Sequence, residues 1–180
     1  MSWLVKTDKI LAGIAHGCGI VATITMVLML ANVAFNVVMR YVFNDVSIGL
    51  QELEWHLFSI CFLLGVPYAM RKDGHVRVDV FYESCSDKVK AHINLWGALF
   101  LAMPIYLLII YYGYFFALES WELGEGSGDP GGLPHRWIIK SMITVSGIFA
   151  LLGSMSMASY ALRVLLRNDS YIKEDKEQII

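Results

Sequence analysis

At 180 residues, 57% of them hydrophobic, with a formal net charge of −2 and a mean hydropathy of +0.55, the chain holds more apolar side chain than a domain of this size can hide from water. A water-soluble globule is therefore excluded. With a formal net charge of −2 the chain has no overall basic excess, and nucleic acid is not expected as a partner.

Four runs nearly free of charge organise what remains: 10–39, 55–70, 91–118 and 141–162. A bilayer-spanning helix needs about 20 apolar residues at about 1.5 Å rise each. Three runs meet that length, and the second must borrow from the preceding segment, which carries Glu52 and Glu54. The reading is an all-α integral membrane protein, a single domain over 1–180. Its four transmembrane helices lie near 10–39, 48–70, 91–118 and 138–163, with a polar tail over 168–180. The first run is longer than the core of a signal peptide, so it reads as an uncleaved first span with the mature chain beginning near Met1.

In chain order, Trp3, Leu4 and Val5 beside Lys6 and Lys9 predict a short amphipathic segment lying on the membrane interface. Gly13 and Gly17, four apart on the first helix, would let a neighbouring backbone approach. Asn32 and Asn36 share a face one turn apart, and amides in hydrocarbon need partners, so that face should meet protein. Asn44 and Asp45 mark a turn, and Ser47 is a candidate N-cap for the second helix. Glu52 and Glu54 fall within its first two turns, where the helix dipole favours carboxylates. Glu52 and His56 are four apart and can touch, and Pro67 should bend the exit.

The 71–90 connection holds an Asp73-Gly74 turn, then Val76, Val78 and Val80 alternating with Arg77 and Asp79. A lone strand there would have no ladder partner, so an interfacial turn or short helix is expected. Ser86 is a candidate cap for the third helix. Pro104 predicts a kink in that helix. Tyr106, Tyr111, Tyr112 and Tyr114, with Trp121 and Trp137, form an aromatic belt at its far end. A Gly/Pro-rich connection over 124–134 follows. The fourth helix carries Ser146, Ala150, Ser154 and Ala158 at four-residue spacing, a contact stripe for another helix.

Orientation follows from eleven Lys and Arg on the side of the termini and the middle connection, against Arg40, Arg136 and Lys140 alone on the other. Positive charge is retained in the cytoplasm, so both termini are predicted cytoplasmic. The outward connections collect Asp45, Glu52, Glu54, Glu119, Glu122, Glu125 and Asp129, a face that could orient a soluble partner. Arg136 and Lys140 open a helix against its dipole. An acid should offset them; Glu52, Glu54, Glu119 and Glu122 are available on that side, and Glu54 paired with Arg136 or Lys140 is the expected lock. The alternative is that both cations reach water or lipid phosphate.

The central part of every span lacks Asp, Glu, Lys and Arg, so a self-sufficient carrier with a mid-membrane proton site has nothing to work with. A membrane-anchor b-type cytochrome would need deep histidine pairs. His16 and His92 fall at the inner helix ends, and His56 and His135 at the outer ones. Cys18, Cys61 and Cys85 match no zinc spacing and predict no disulfide. No catalytic, cofactor-binding or metal-binding residue is assigned.

Two segments resemble the small membrane subunit, the DctQ family, of tripartite ATP-independent periplasmic (TRAP) transporters. One runs Glu52-Leu-Glu-Trp-His-Leu-Phe, then Phe62-Leu-Leu-Gly, then Arg71-Lys-Asp-Gly-His-Val-Arg-Val-Asp79. The other is Gly124-Glu-Gly-Ser-Gly-Asp-Pro-Gly-Gly-Leu-Pro-His-Arg-Trp-Ile-Ile-Lys140. The resemblance covers roughly 40–163. It departs from the family where Trp55 follows Glu54 instead of preceding the acidic pair, and where the second span lacks Arg. Ion pairing known elsewhere in the family is therefore not carried over to that helix.

The resemblance implies a non-enzymatic subunit in a bacterial inner membrane, taking part in sodium-coupled secondary transport of an organic solute. Its implied partners are a large multi-span permease subunit (DctM type) on a separate chain, which it braces, and a periplasmic solute-binding protein, which it helps dock. Membrane lipid surrounds it. The acids Glu119, Glu122, Glu125 and Asp129 are the candidate docking residues.

Overall fold

The computed structural model describes residues 2–71, 82 and 85–167. Its described elements are helical, and four helices are long and apolar enough to cross a membrane: Ile10–Phe43, Ile48–Met70, Asp87–Glu122 and Trp137–Leu166. The 73–74 turn, the valine alternation over 76–80 and the tail over 168–180 lie outside the described residues.

Helix α1, Ser2–Val38, is continuous from its first residues into the span. It runs on through a π-helical turn, Met39–Phe43, and stops at Asn44, which adopts a left-handed conformation with φ 52°. Asn tolerates that region better than most residues because its short amide can bond locally. Ser47 then starts α2, Ile48–Arg71, its hydroxyl accepting the Leu50 N–H at 3.3 Å. Pro67 sits inside α2 without ending it, and it is among the most completely buried side chains.

The third span is built in two pieces, α3 (Asp87–Gly97) and α4 (Met103–Glu122), joined by a π-helical turn over Ala98–Ala102. Pro104 lacks the N–H that would bond one turn back, and the wider turn immediately before it takes up that break. Ser86 stands at the N-cap of α3 in extended conformation, yet its side chain makes no capping bond, so the expected cap is not made. The fourth span is α5, Trp137–Arg167.

Helix α5 is the hub, touching α1, α2, α3 and α4, while α1 and α2 form an antiparallel hairpin. Glycines set the α4–α5 distance. A Cβ at Gly113 would lie 2.9 Å from Thr144 Oγ1, and one at Gly147 would lie 3.0 Å from Ile110. Cys18, Ala22 and Leu64 form a core cluster between α1 and α2, with Met142 and Phe149 of α5 against it. Ala91, Ala161 and Val164 form a second cluster between α3 and α5. Outside these clusters, large apolar side chains such as Ile24, Phe62, Leu107 and Tyr112 stand exposed on every span, as a lipid-facing surface requires. Four crossings return the chain to the end where it began. The 44–47 and 123–136 connections therefore share the opposite end, here termed the upper end.

Candidate functional site

The upper end is organised by one carboxylate. Glu52, on the second turn of α2, is only 7% exposed. Its oxygens accept Ser127 Oγ–H at 2.5 Å, the Leu133 N–H at 2.6 Å and Arg136 Nη2 at 3.3 Å. A hydroxyl, a backbone amide and a guanidinium from three positions of the 123–136 loop thus converge on one side chain of a different helix. A carboxylate has lone pairs for all three donors, and leaving any of them unmet out of water is costly.

The loop's shape follows from its residues. Asp129-Pro130-Gly131-Gly132 closes a β-turn, with the Gly132 N–H donating to Asp129 O at 3.0 Å and Gly131 at φ +84°. Pro at the second place and a positive-φ Gly at the third are the requirements of a type II turn. Gly132 has no room for a side chain: a Cβ would lie 2.8 Å from Glu52 Oε2 and closer still to Ser127. The Ser127 N–H donates to Leu133 O, and the Arg136 N–H to Glu125 O, both at 3.0 Å. These bonds make the loop a compact knot seated on the start of α2.

Two ion pairs close the site. Arg136 meets Glu52 at 3.3 Å, and Lys140 meets Glu125. Each cation also faces an aromatic ring, Arg136 at 5.8 Å from the centroid of Trp55 and Lys140 at 4.1 Å from that of Phe116. The two cations that open α5 against its dipole are thereby offset one by one. The Lys140 ammonium holds the Glu125 carboxyl below its usual range. Glu125 therefore stays charged at neutral pH, and its hold on Lys140 weakens only as pH falls through that lowered value.

The lock expected from Glu54 is not formed. Positions two apart on a helix point about 200° from each other, so Glu52 and Glu54 cannot both face α5. Glu54 turns to α1, where its Oε1 accepts Asn36 Nδ2 at 2.6 Å, and Asn32 Nδ2 donates to Leu50 O at 2.8 Å. Both asparagines thus bind α1 to α2. His56 Nδ1 lies 2.7 Å from the backbone oxygen of Glu52, not its carboxylate. The small-residue stripe of α5 is buried within the chain: Ser146 at 5%, Ala150 at 1%, Ser154 at 0% and Ala158 at 7% exposure. Ser146 Oγ donates to Leu63 O at 2.6 Å.

Gly13 and Gly17, by contrast, are exposed, and a Cβ on either would touch nothing within 4 Å. The small face that packs belongs to Ala15, Cys18, Gly19 and Ala22, with a Cβ at Gly19 lying 2.5 Å from the Tyr68 ring. Of the four acids expected to dock a partner, Glu125 is occupied by Lys140, whereas Glu119, Glu122 and Asp129 stand exposed. His16, His92 and His135 are exposed, so the described histidines do not turn together into the bundle. The sequence reading misses Ser127, Gly132 and the Leu133 amide as partners of Glu52. The Asp-Pro-Gly-Gly run signals the turn, though nothing local signals where it docks.

Over 108 residues the chain is 26% identical to the sialic acid TRAP transporter permease protein SiaT of Haemophilus influenzae (strain 86-028NP), a match covering 59% of this chain. The match spans only 17% of that relative's length. The family model described as tripartite ATP-independent periplasmic transporters, DctQ component, matches residues 20–164, which takes in most of the four apolar helices and all of the Glu52 loop knot. The chain is a multi-pass membrane protein belonging to the DctQ family of TRAP transporter components.

Proposed function

We propose that this chain is the small permease subunit of a bacterial inner-membrane TRAP system. In this role it braces a separate large permease subunit and helps seat a periplasmic solute-binding protein during ion-driven uptake of an organic solute. The observation that carries the reading is the Glu52 knot. A loop held by three donors on a buried carboxylate carries Asp129 outward, and the adjoining end of α4 carries the exposed Glu119 and Glu122. Such a surface suits a docking contact better than a reaction, because it offers exposed charge at defined positions. The side bearing the fewest Lys and Arg would be the periplasmic one, which puts the knot where a soluble binding protein arrives.

The spans support a bracing role by what they contain. Their central parts carry no Asp, Glu, Lys or Arg, so a polar solute would find no charged partner there. The exposed Gly13/Gly17 face of α1 is the proposed site of close contact with the large subunit. Mild-detergent purification of the chain from its native membrane tests the reading: a much larger multi-span protein should come with it. In a reconstituted system, neutralising Glu119, Glu122 and Asp129 together should weaken uptake while leaving that co-purification intact, and the loss should shrink with added salt. Unchanged uptake would remove the docking role.

A further inference from the structure

A groove of about 390 Å³ opens on the bundle surface just below the knot, between α2, α4 and α5. That volume lies within the range of small-molecule sites. Its walls are apolar, formed by Phe58, Phe62 and Leu63 of α2, Phe116 of α4, and Ile139 and Ile143 of α5. Its mouth is polar and carries both signs, with Arg136, Lys140 and Glu125 at the rim. From Trp55 at the rim to Phe62 the groove runs seven positions along α2, about 10 Å at helical rise. That is a large part of the roughly 15 Å depth of one leaflet.

The mouth has unused hydrogen-bonding capacity. Arg136, with five N–H donors, spends only Nη2 on Glu52, and its side chain is 31% exposed. Lys140, with three N–H donors, meets the single oxygen of Glu125. A helix from another protein filling the groove would supply apolar surface and leave these donors unmet. A phosphate supplies acceptors for both. The Glu125 carboxylate, 32% exposed, adds a place for a cation beside them. The Trp121–Trp137 ring pair, 4.7 Å between centroids, sits at the same end, where indoles mark the headgroup level.

We infer that this groove binds one bilayer phospholipid with a phosphoethanolamine headgroup, its phosphate between Arg136 and Lys140, its ammonium toward Glu125 and an acyl chain along the Phe58–Phe62 wall. The inference depends on the chain spanning a bilayer and does not depend on its docking role. A lipid seated there would join α2 to α5 at the level of the knot, filling a gap that the side chains leave open.

Native mass spectrometry of the full chain in mild detergent, titrated separately with dioleoylphosphatidylethanolamine, dioleoylphosphatidylglycerol and dioleoylglycerol, tests this. One phosphatidylethanolamine should bind about tenfold more tightly than dioleoylglycerol, with phosphatidylglycerol between them. Ser59→Phe, which adds bulk at the groove wall without touching the charges, should weaken phosphatidylethanolamine binding by about tenfold while circular dichroism stays unchanged. Lys140→Gln should narrow the gap between phosphatidylethanolamine and dioleoylglycerol. Equal binding of phosphatidylethanolamine and dioleoylglycerol would overturn the inference, as would retention unchanged in a folded Ser59→Phe chain. So would a cross-link from Phe62→Cys to a helix of a second protein in the native assembly, since that would place protein in the groove.

Discussion

At its upper end the bundle is tied by charge: Glu52 gathers Ser127, Leu133 and Arg136, and Glu125 takes Lys140. Halfway down, the same helices are held by the absence of bulk. Ser146, Ala150 and Ser154 let α5 lie against its neighbours, and the hydroxyls donate to the backbone carbonyls of Leu63 and Ala150. The difference follows from what each level must accomplish. In the hydrocarbon, close backbone approach and satisfied hydroxyls suffice, because lipid and side chain are equally apolar. At the upper end a loop with many backbone groups and few apolar residues needs an anchor, and a buried carboxylate can satisfy several donors at once.

Breaking that comparison from the charged side should have the largest effect. Glu52→Gln keeps the shape but converts half of the acceptor into a donor facing Ser127, Leu133 N–H and Arg136. Hydrogen exchange over 124–136 should rise sharply, and thermal stability should fall further than for Gly132→Ala or Ser146→Ala. Gly132→Ala tests the same knot by volume. With no space for a Cβ, overpacking should cost about 1–3 kcal/mol, read as a lowered melting temperature with the loop again the exposed segment.

In the middle of the bundle, Ser146→Ala removes one hydroxyl donor to Leu63 O and should cost only about 0.6 kcal/mol, typical of such bonds between membrane helices. Exchange over 124–136 should not change, which separates the two levels. The smallest effect on the isolated chain belongs to Gly13→Ala with Gly17→Ala. Neither position has a neighbour within reach, so stability should hold or rise slightly through helix propensity. Co-purification of the large subunit should nonetheless fall if that face is where it packs.

Hydropathy made the four spans legible, because an uncharged run as long as a bilayer is thick finds its apolar surroundings most readily in lipid. The amides of Asn32 and Asn36 were legible on the same ground, since polar groups at that depth must find protein. Helical phase is what separated Glu52 from Glu54: both are acids at the start of α2, and only the direction of each side chain decides which meets α5. The Gly-rich 124–134 stretch has no periodicity, so its fold could be read only as far as the Asp-Pro-Gly-Gly turn. Its anchor lies some 75 to 84 positions away in sequence, beyond any local pattern. Gly13/Gly17 and Ala15/Cys18/Gly19/Ala22 are equally small, and neighbouring side chains alone choose between those faces.

Uptake by proteoliposomes tests the central claim most directly: that this chain serves a transporter whose solute path lies in another polypeptide. The purified chain alone should give no solute flux under any ion gradient. Together with the large subunit and the binding protein it should support uptake that disappears when this chain is omitted. Solute flux through the lone chain, or full uptake without it, would contradict the account.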